Sequence, residues 1–119
     1  MKRMKVSVFF VGVICLAASV AGAAAAPQKG RAAARAERGR EVYTERCARC
    51  HGADGQGRTR MGETVEAPDL SDPDWQRQRS DARMVAAVAN GRGSMPPFKR
   101  KLSRQDIAAS VAYVRTLRR

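Results

Sequence analysis

The chain has 119 residues, with 23 Lys and Arg against 11 Asp and Glu and a formal charge of +12 at pH 7. That length allows one small domain at most and excludes a multidomain enzyme. The charge speaks about partners and encounter rates, not fold: an acidic protein or an anionic membrane surface fits it, and nucleic acid does not once the first residues are read as an export signal.

Lys2, Arg3 and Lys5 precede an apolar stretch at residues 6–20, which ends in the small-residue run 21–26 ahead of Pro27. A basic end, an apolar core and small residues where a peptidase can fit the backbone form the layout of a secretory signal peptide. Residues 1–26 are therefore expected to be a signal peptide, 27–30 a short linker and 31–119 the folded domain, in the periplasm or otherwise exported. An uncleaved membrane anchor is the alternative, because residues 6–26 almost span a bilayer, although alanine is a weak membrane residue. Cys15 lies inside the apolar core and leaves with the leader, so the mature part keeps Cys47 and Cys50. A domain this small usually supplements its core with a disulfide, a metal or a cofactor. Its charge is also uneven: residues 61–75 carry Glu63, Glu66, Asp69, Asp72 and Asp74 and no cation.

Residues 32–48 are rich in Ala, Arg and Glu and predict a first helix. Gly39, Tyr43 and Cys47 recur at four-residue steps with Cys50 one turn on, so one face of that helix ends at the cysteine pair. A mid-helix glycine is about 1 kcal/mol less favourable than alanine, which points to a second helix passing close to Gly39. The glycine-rich stretch 51–62 and the prolines of 67–73 read as loops and turns. Ser80 and Asp81 predict a capped helix through Ala89, with Met84, Val85 and Val88 on its apolar side and Gly91 beyond its end. Residues 91–102 form a second loop, stiffened by Pro96 and Pro97. Ser103 to Asp106 fits a capping box for a last helix whose apolar stripe is Ile107, Val111, Val114 and Leu117. No strand pattern or internal repeat is present, so the fold class is all-α, three or four helices joined by long loops. Such loops normally count against a small domain, unless they pack on a bound cofactor.

Cys47-Ala48-Arg49-Cys50-His51 reads as Cys-x-x-Cys-His, the attachment pattern of c-type haem. Two cysteines three apart at a helix end can reach the two vinyl groups of a porphyrin and become thioethers, which places the next residue under the iron. His51 is the one histidine in the chain. Zinc would want four ligands where the mature chain offers two cysteines and one histidine. A thioredoxin-like dithiol would need strand and helix alternation, and an inert disulfide would leave His51 and the loops unexplained.

With these residues the chain resembles the class I cytochrome c family, most closely the small cytochrome c domains of cbb3-type oxidase subunits. The resemblance covers nearly the whole mature chain and rests on residues 47–57, on Ala67-Pro68-Asp69-Leu70, on residues 90–98 around Met95-Pro96-Pro97, and on residues 112–117. It implies one haem c bound through Cys47 and Cys50, with His51 and Met95 as the axial ligands of the iron. Met61 and Met84 are rivals to Met95, the first in a basic glycine-rich loop and the second at core spacing. It also implies that the Pro68 carbonyl accepts the free ring N–H of His51, that Leu70 packs on the porphyrin, and that Trp75 either bonds a haem propionate or anchors a loop. Gly39 and Tyr43 would face Tyr113 across two helices, with Ser110 where relatives often carry a larger apolar side chain.

The function implied is that of a one-electron carrier between redox proteins and not of an enzyme, since two bound axial ligands leave iron no open position. An enzyme or gas sensor would follow if Met95 left the iron readily, and an electron-accepting subunit of a membrane complex or dehydrogenase is a third reading. Arg46, Arg49, Arg92, Lys99, Arg100 and Lys101 flank the expected haem edge and suit an acidic docking surface on the partner.

Overall fold

Six helices make up residues 28–119, the part of the chain that the computed structural model describes. They are α1 (Gln28–Arg46), α2 (Ala48–His51), α3 (Arg60–Thr64), α4 (Pro73–Arg77), α5 (Asp81–Asn90) and α6 (Arg104–Thr116). The expected signal peptide lies outside the described residues. Among the described residues no strand forms, the nearest thing being an isolated bridge between Arg92 and Met95. No described helix is long and apolar enough to cross a membrane.

The three long helices fall where periodicity places them, with two corrections. Residues 28–30, expected as linker, already belong to α1, because Gln28 and Lys29 are adequate helix formers leading into an alanine run. The helix count also exceeds the expected three or four, since α2, α3 and α4 are single turns of four or five residues. Asp72 and Pro73 look like turn residues, but here the Asp72 side chain accepts from the Asp74 amide and Pro73 takes the first position of α4, where a missing N–H is harmless. Thr59 caps α3 in the same manner, accepting from the Gly62 amide. Ser80 and Ser103 cap α5 and α6 as expected.

α1 and α6 cross at Gly39. A β-carbon there would fall on the carbonyl oxygen of Ala109 and within 3.3 Å of Tyr113 Cβ, so backbone touches backbone. Ser110 does not loosen this contact: it is 2% exposed and its hydroxyl donates to the Ile107 carbonyl on its own helix at 2.8 Å. The rings of Tyr43 and Tyr113 meet next to the crossing with centroids 5.2 Å apart. Arg38 pins the start of α6 by an ion pair to Asp106 at 2.7 Å, and that guanidinium, with the Ser103 hydroxyl, holds the Asp106 carboxyl down at about 2.

Tyr43, Leu70, Met84, Val111 and Val114 form the core, with Cys47, Trp75, Val88 and Leu117 packed against it. Arg115 ties its far side together, donating to Asp81 at 2.8 Å, to the Gln76 carbonyl at 2.8 Å and to the Arg79 carbonyl at 2.6 Å. The loop 91–102 is held to α5 by amide bonds from Phe98 to the Val88 carbonyl and from Lys99 to the Ala89 carbonyl. The buried Tyr43 hydroxyl donates to the Gly52 carbonyl at 2.7 Å, joining the core to the turn after His51.

Two stability outcomes follow from these contacts. Gly39→Ala should lose about 1–3 kcal/mol from overpacking, more than the roughly 1 kcal/mol that helix propensity returns, whereas Gly30→Ala, with open space around it, should be neutral or stabilising. Equal denaturant midpoints for the two variants would contradict the tight crossing. Tyr43→Phe should cost about 1 kcal/mol and not more, because the Gly52 carbonyl keeps the Gly55 amide at 3.2 Å; urea unfolding of the variant measures this.

Candidate functional site

α1 carries its register into the cysteine motif, with the Cys47 amide bonded to the Tyr43 carbonyl at 2.9 Å. At Cys47 the backbone opens to φ −113°, and a fresh turn begins in which the amides of Cys50 and His51 both donate to the Cys47 carbonyl, at 3.1 and 2.9 Å. Gly52, at φ 78°, ends that turn in a conformation that favours glycine. The two cysteines thus stand at the two ends of one helical turn, with His51 directly after them.

Cys47 and Cys50 are free thiols, each half-buried, and no disulfide joins them. Burial, then the neighbouring Cys50, pushes the Cys47 thiol up to about 11. Reactive dithiols have lowered values, and the Cys47 thiol is shifted the other way. Among the described residues no group of three or more His, Cys, Asp and Glu side chains is arranged to hold a metal ion, and the zinc alternative has no ligand set.

His51 is 8% exposed, and burial lowers its pKa against an opposing pull from the Pro68 carbonyl. That carbonyl is near enough to favour a protonated ring but closes no hydrogen bond at Nδ1, which among the described residues is the buried side-chain polar atom left without a partner. An unsatisfied buried nitrogen of this kind calls for an explanation. A neutral imidazole bound to iron through Nε2 carries its proton on Nδ1, where the Pro68 carbonyl can receive it. Two free thiols one turn apart, this imidazole and an apolar surround fit a covalently attached haem.

The loop after the motif brings Pro68 to His51. The Gly57 amide donates to the His51 carbonyl at 2.8 Å, and a β-carbon on Gly57 would lie 2.5 Å from the Ala67 carbonyl and 3.4 Å from that of Pro68. Gly62 is pressed in the same way against the carbonyls of Cys50 and Gly57. The Thr59 hydroxyl bonds the Arg49 and Cys50 carbonyls at 2.8 and 3.1 Å. The Leu70 amide reaches the Gly55 carbonyl at 2.7 Å. Leu70 is buried in the same cluster that Cys47 packs against. Trp75 packs there too, from helix α4 and not from a loop, with the Arg79 guanidinium 4.4 Å above its ring.

Of the three methionines weighed, Met84 is 6% exposed in the core and Met61 is 36% exposed beside Arg49, Arg60 and Thr64. Met95 is half-buried, its amide and carbonyl both bonded to Arg92 at 3.0 Å, so its backbone is fixed. The sequence reading missed Gln76, which is 2% exposed and donates to the carbonyls of Leu70 at 2.8 Å and Val114 at 2.9 Å. Nothing in the pattern around it marks a glutamine as buried. Thr59, inside a stretch that reads as a loop, was missed as well, both as the cap of α3 and for its bonds to the motif carbonyls.

Residues 34–114 match the family described as cytochrome c oxidase, cbb3-type, subunit III. The chain is 40% identical over 86 residues to the cbb3-type cytochrome c oxidase subunit CcoP of Azospirillum brasilense, a stretch that is 71% of this chain and 29% of that protein. It is 34% identical over 83 residues to subunit FixP of Bradyrhizobium diazoefficiens, covering 69% of this chain and 27% of that one. The match therefore spans under a third of these relatives' length. Among solved structures the KustC0563 c-type cytochrome superposes with a TM-score of 0.65 at 35% identity, over 68% of this chain and 98% of its own. The all-α architecture, the Cys47 to His51 turn and these matches together establish that the chain belongs to the cbb3-type subunit III family, as a c-type cytochrome domain.

Proposed function

We propose that this protein is an exported monohaem c-type cytochrome that passes single electrons between redox proteins, its haem c bound to Cys47 and Cys50 and its iron ligated by His51 and Met95. The observation that carries the reading is the buried His51, its Nδ1 unpartnered, directly after two free thiols at the end of a helix. When bound, the haem supplies an iron centre whose potential depends on its axial ligands and surroundings.

The chain's own residues do the rest. Cys47 and Cys50 hold the group covalently, so it is not lost outside the cell. His51 ligates through Nε2 and offers its Nδ1 proton to the Pro68 carbonyl, which sets the ring's orientation. Leu70 and Trp75 keep water from that side. Met95 offers a soft thioether that suits ferrous iron and raises the potential, and Pro96 and Pro97 restrict the loop that carries it. Residues 1–26 act as the export leader, and the domain proper begins with α1.

Arg46, Arg49, Arg92, Lys99, Arg100 and Lys101 are all exposed, which supports docking to an acidic redox partner. The relatives are named as oxidase subunits, which supports association with a membrane complex as the setting for this exchange.

Mass spectrometry of the native protein should find a chain beginning between residues 24 and 30 and heavier by one haem. A mature mass without haem would remove the central claim. Met95→Ala should lower the reduction potential and let the ferrous protein bind carbon monoxide, whereas Met61→Ala should do neither; a parent that already binds carbon monoxide stoichiometrically would favour an open-iron enzyme or sensor. Electron transfer with an acidic partner should slow steeply as salt rises, since the screening length falls to about 10 Å at 0.1 M. A rate indifferent to ionic strength would count against basic docking.

A further inference from the structure

The Pro68 carbonyl belongs to the peptide plane that also contains the Asp69 amide, so whatever fixes Asp69 fixes the direction in which that carbonyl points. Asp69 is unusually well held for a loop carboxylate. One oxygen, Oδ1, accepts from the Ser71 amide at 2.8 Å and from the Ser71 hydroxyl at 2.6 Å, and Oδ2 accepts from Arg119 Nη2 at 2.7 Å. Arg119 closes the ring from its other end, its amide donating to the Ser71 carbonyl at 3.1 Å. Ser71 itself is fully buried. Between Asp69 and Ser71, Leu70 is gripped by Gly55 at its amide and by Gln76 at its carbonyl.

We infer that Asp69 and Arg119 form a latch that holds the Pro68 peptide beside His51, where its carbonyl can receive the Nδ1 proton once the imidazole ligates iron, and that the latch thereby sets the basicity of that ligand. Both are positioning residues; neither touches the haem. The inference rests on the haem reading given above and adds a control on its potential that lies outside the motif, in the loop before α4 and just past the end of α6.

The sign of the effect makes the latch testable. An imidazole whose Nδ1 proton is well received is a more basic ligand, and a more basic ligand favours ferric iron. Loosening the latch weakens that hydrogen bond and shifts the balance toward ferrous iron. Arg119→Ala and Asp69→Asn should therefore both raise the potential, giving a severalfold increase in the reduced-to-oxidised ratio at a fixed ambient potential. A pure charge effect predicts otherwise: removing a cation favours ferric iron and removing an anion favours ferrous iron, so the two variants would move in opposite directions.

The experiment is redox titration of the full-length haem protein and the variants Arg119→Ala, Asp69→Asn and Arg119→Lys, with Arg77→Ala as a surface control that breaks only the Arg77–Asp74 pair. Hydrogen exchange at the amides of Leu70 and Ser71 gives a second readout. Arg119 is more than half exposed, so its loss leaves the core intact. Upward shifts in both Arg119→Ala and Asp69→Asn, partial return in Arg119→Lys, no rise in Arg77→Ala, and faster exchange at Ser71 are the expected result. Opposite shifts, or no shift with unchanged exchange, overturn the latch while leaving the haem reading in place. A parent chain that carries no haem at Cys47 and Cys50 overturns the haem reading first.

Discussion

The absence of a side chain at Gly39 is the constraint on which the rest of the molecule depends. Because the Ala109 carbonyl occupies the space a β-carbon would need, α1 and α6 approach closely enough for Tyr43 and Tyr113 to meet. Tyr43 is thereby buried at the point where its hydroxyl can reach the Gly52 carbonyl. One turn further along α1 stands Cys47, and the turn that presents Cys50 and His51 grows directly from it. A change in crossing distance would move the cysteine turn relative to the core it leans on. The mid-helix glycine is unfavourable locally by about 1 kcal/mol, and the geometry of the site is what it makes possible.

Between that turn and α4 the chain has only the single turn of α3 as regular structure, yet many of its backbone groups are partnered. Residues 51–71 bond mainly to one another: Gly57 to His51, Ala67 to Gly62, Leu70 to Gly55. Side chains of Thr59, Asp69 and Gln76 bond further backbone groups. A loop of this length in a small domain is tolerable only if its polar backbone is accounted for in this way. The same bonds press Pro68 toward His51, so the accounting and the site are one arrangement.

Much of this was legible in the sequence, and the parts that were not have physical reasons. α1, α5 and α6 follow from helix formers, apolar spacing and serine caps. The Cys-x-x-Cys-His turn follows from its spacing, and Gly39 announces a close neighbour by being in the wrong place for a glycine. The single-turn helices were hidden because four or five residues show no period and because Asp72-Pro73 signals a turn and a helix start equally well. The end of α3 was hidden for a different reason. The Ala67 amide bonds the Gly62 carbonyl and the Glu66 amide bonds that of Glu63, the pattern of a Schellman cap, with Glu66 at φ 54° where a glycine is usual. Gln76 and the pairing of Asp69 with Arg119 depend on residues 38 and 50 positions apart meeting in space, which no local pattern records.

The charge distribution closes the connection between fold and partner. The acidic run at residues 61–75 looks in the sequence like a solvated negative patch, but several of its members are spent on local structure: Asp69 on Ser71 and Arg119, Asp72 on the start of α4, Asp74 on Arg77. Elsewhere Glu37, Glu41, Asp81 and Asp106 each hold an arginine. Exposed pairs of this kind add little stability apiece, but each cancels a charge. Arginines such as Arg38 and Arg115 are thus neutralised within the fold. Arg49, Arg92, Arg100 and Lys101, beside the motif and in the Met95 loop, keep their charge exposed to solvent. Within a chain of formal charge +12, these exposed cations stand beside the two segments proposed to hold the iron, where an approaching negative partner would meet them.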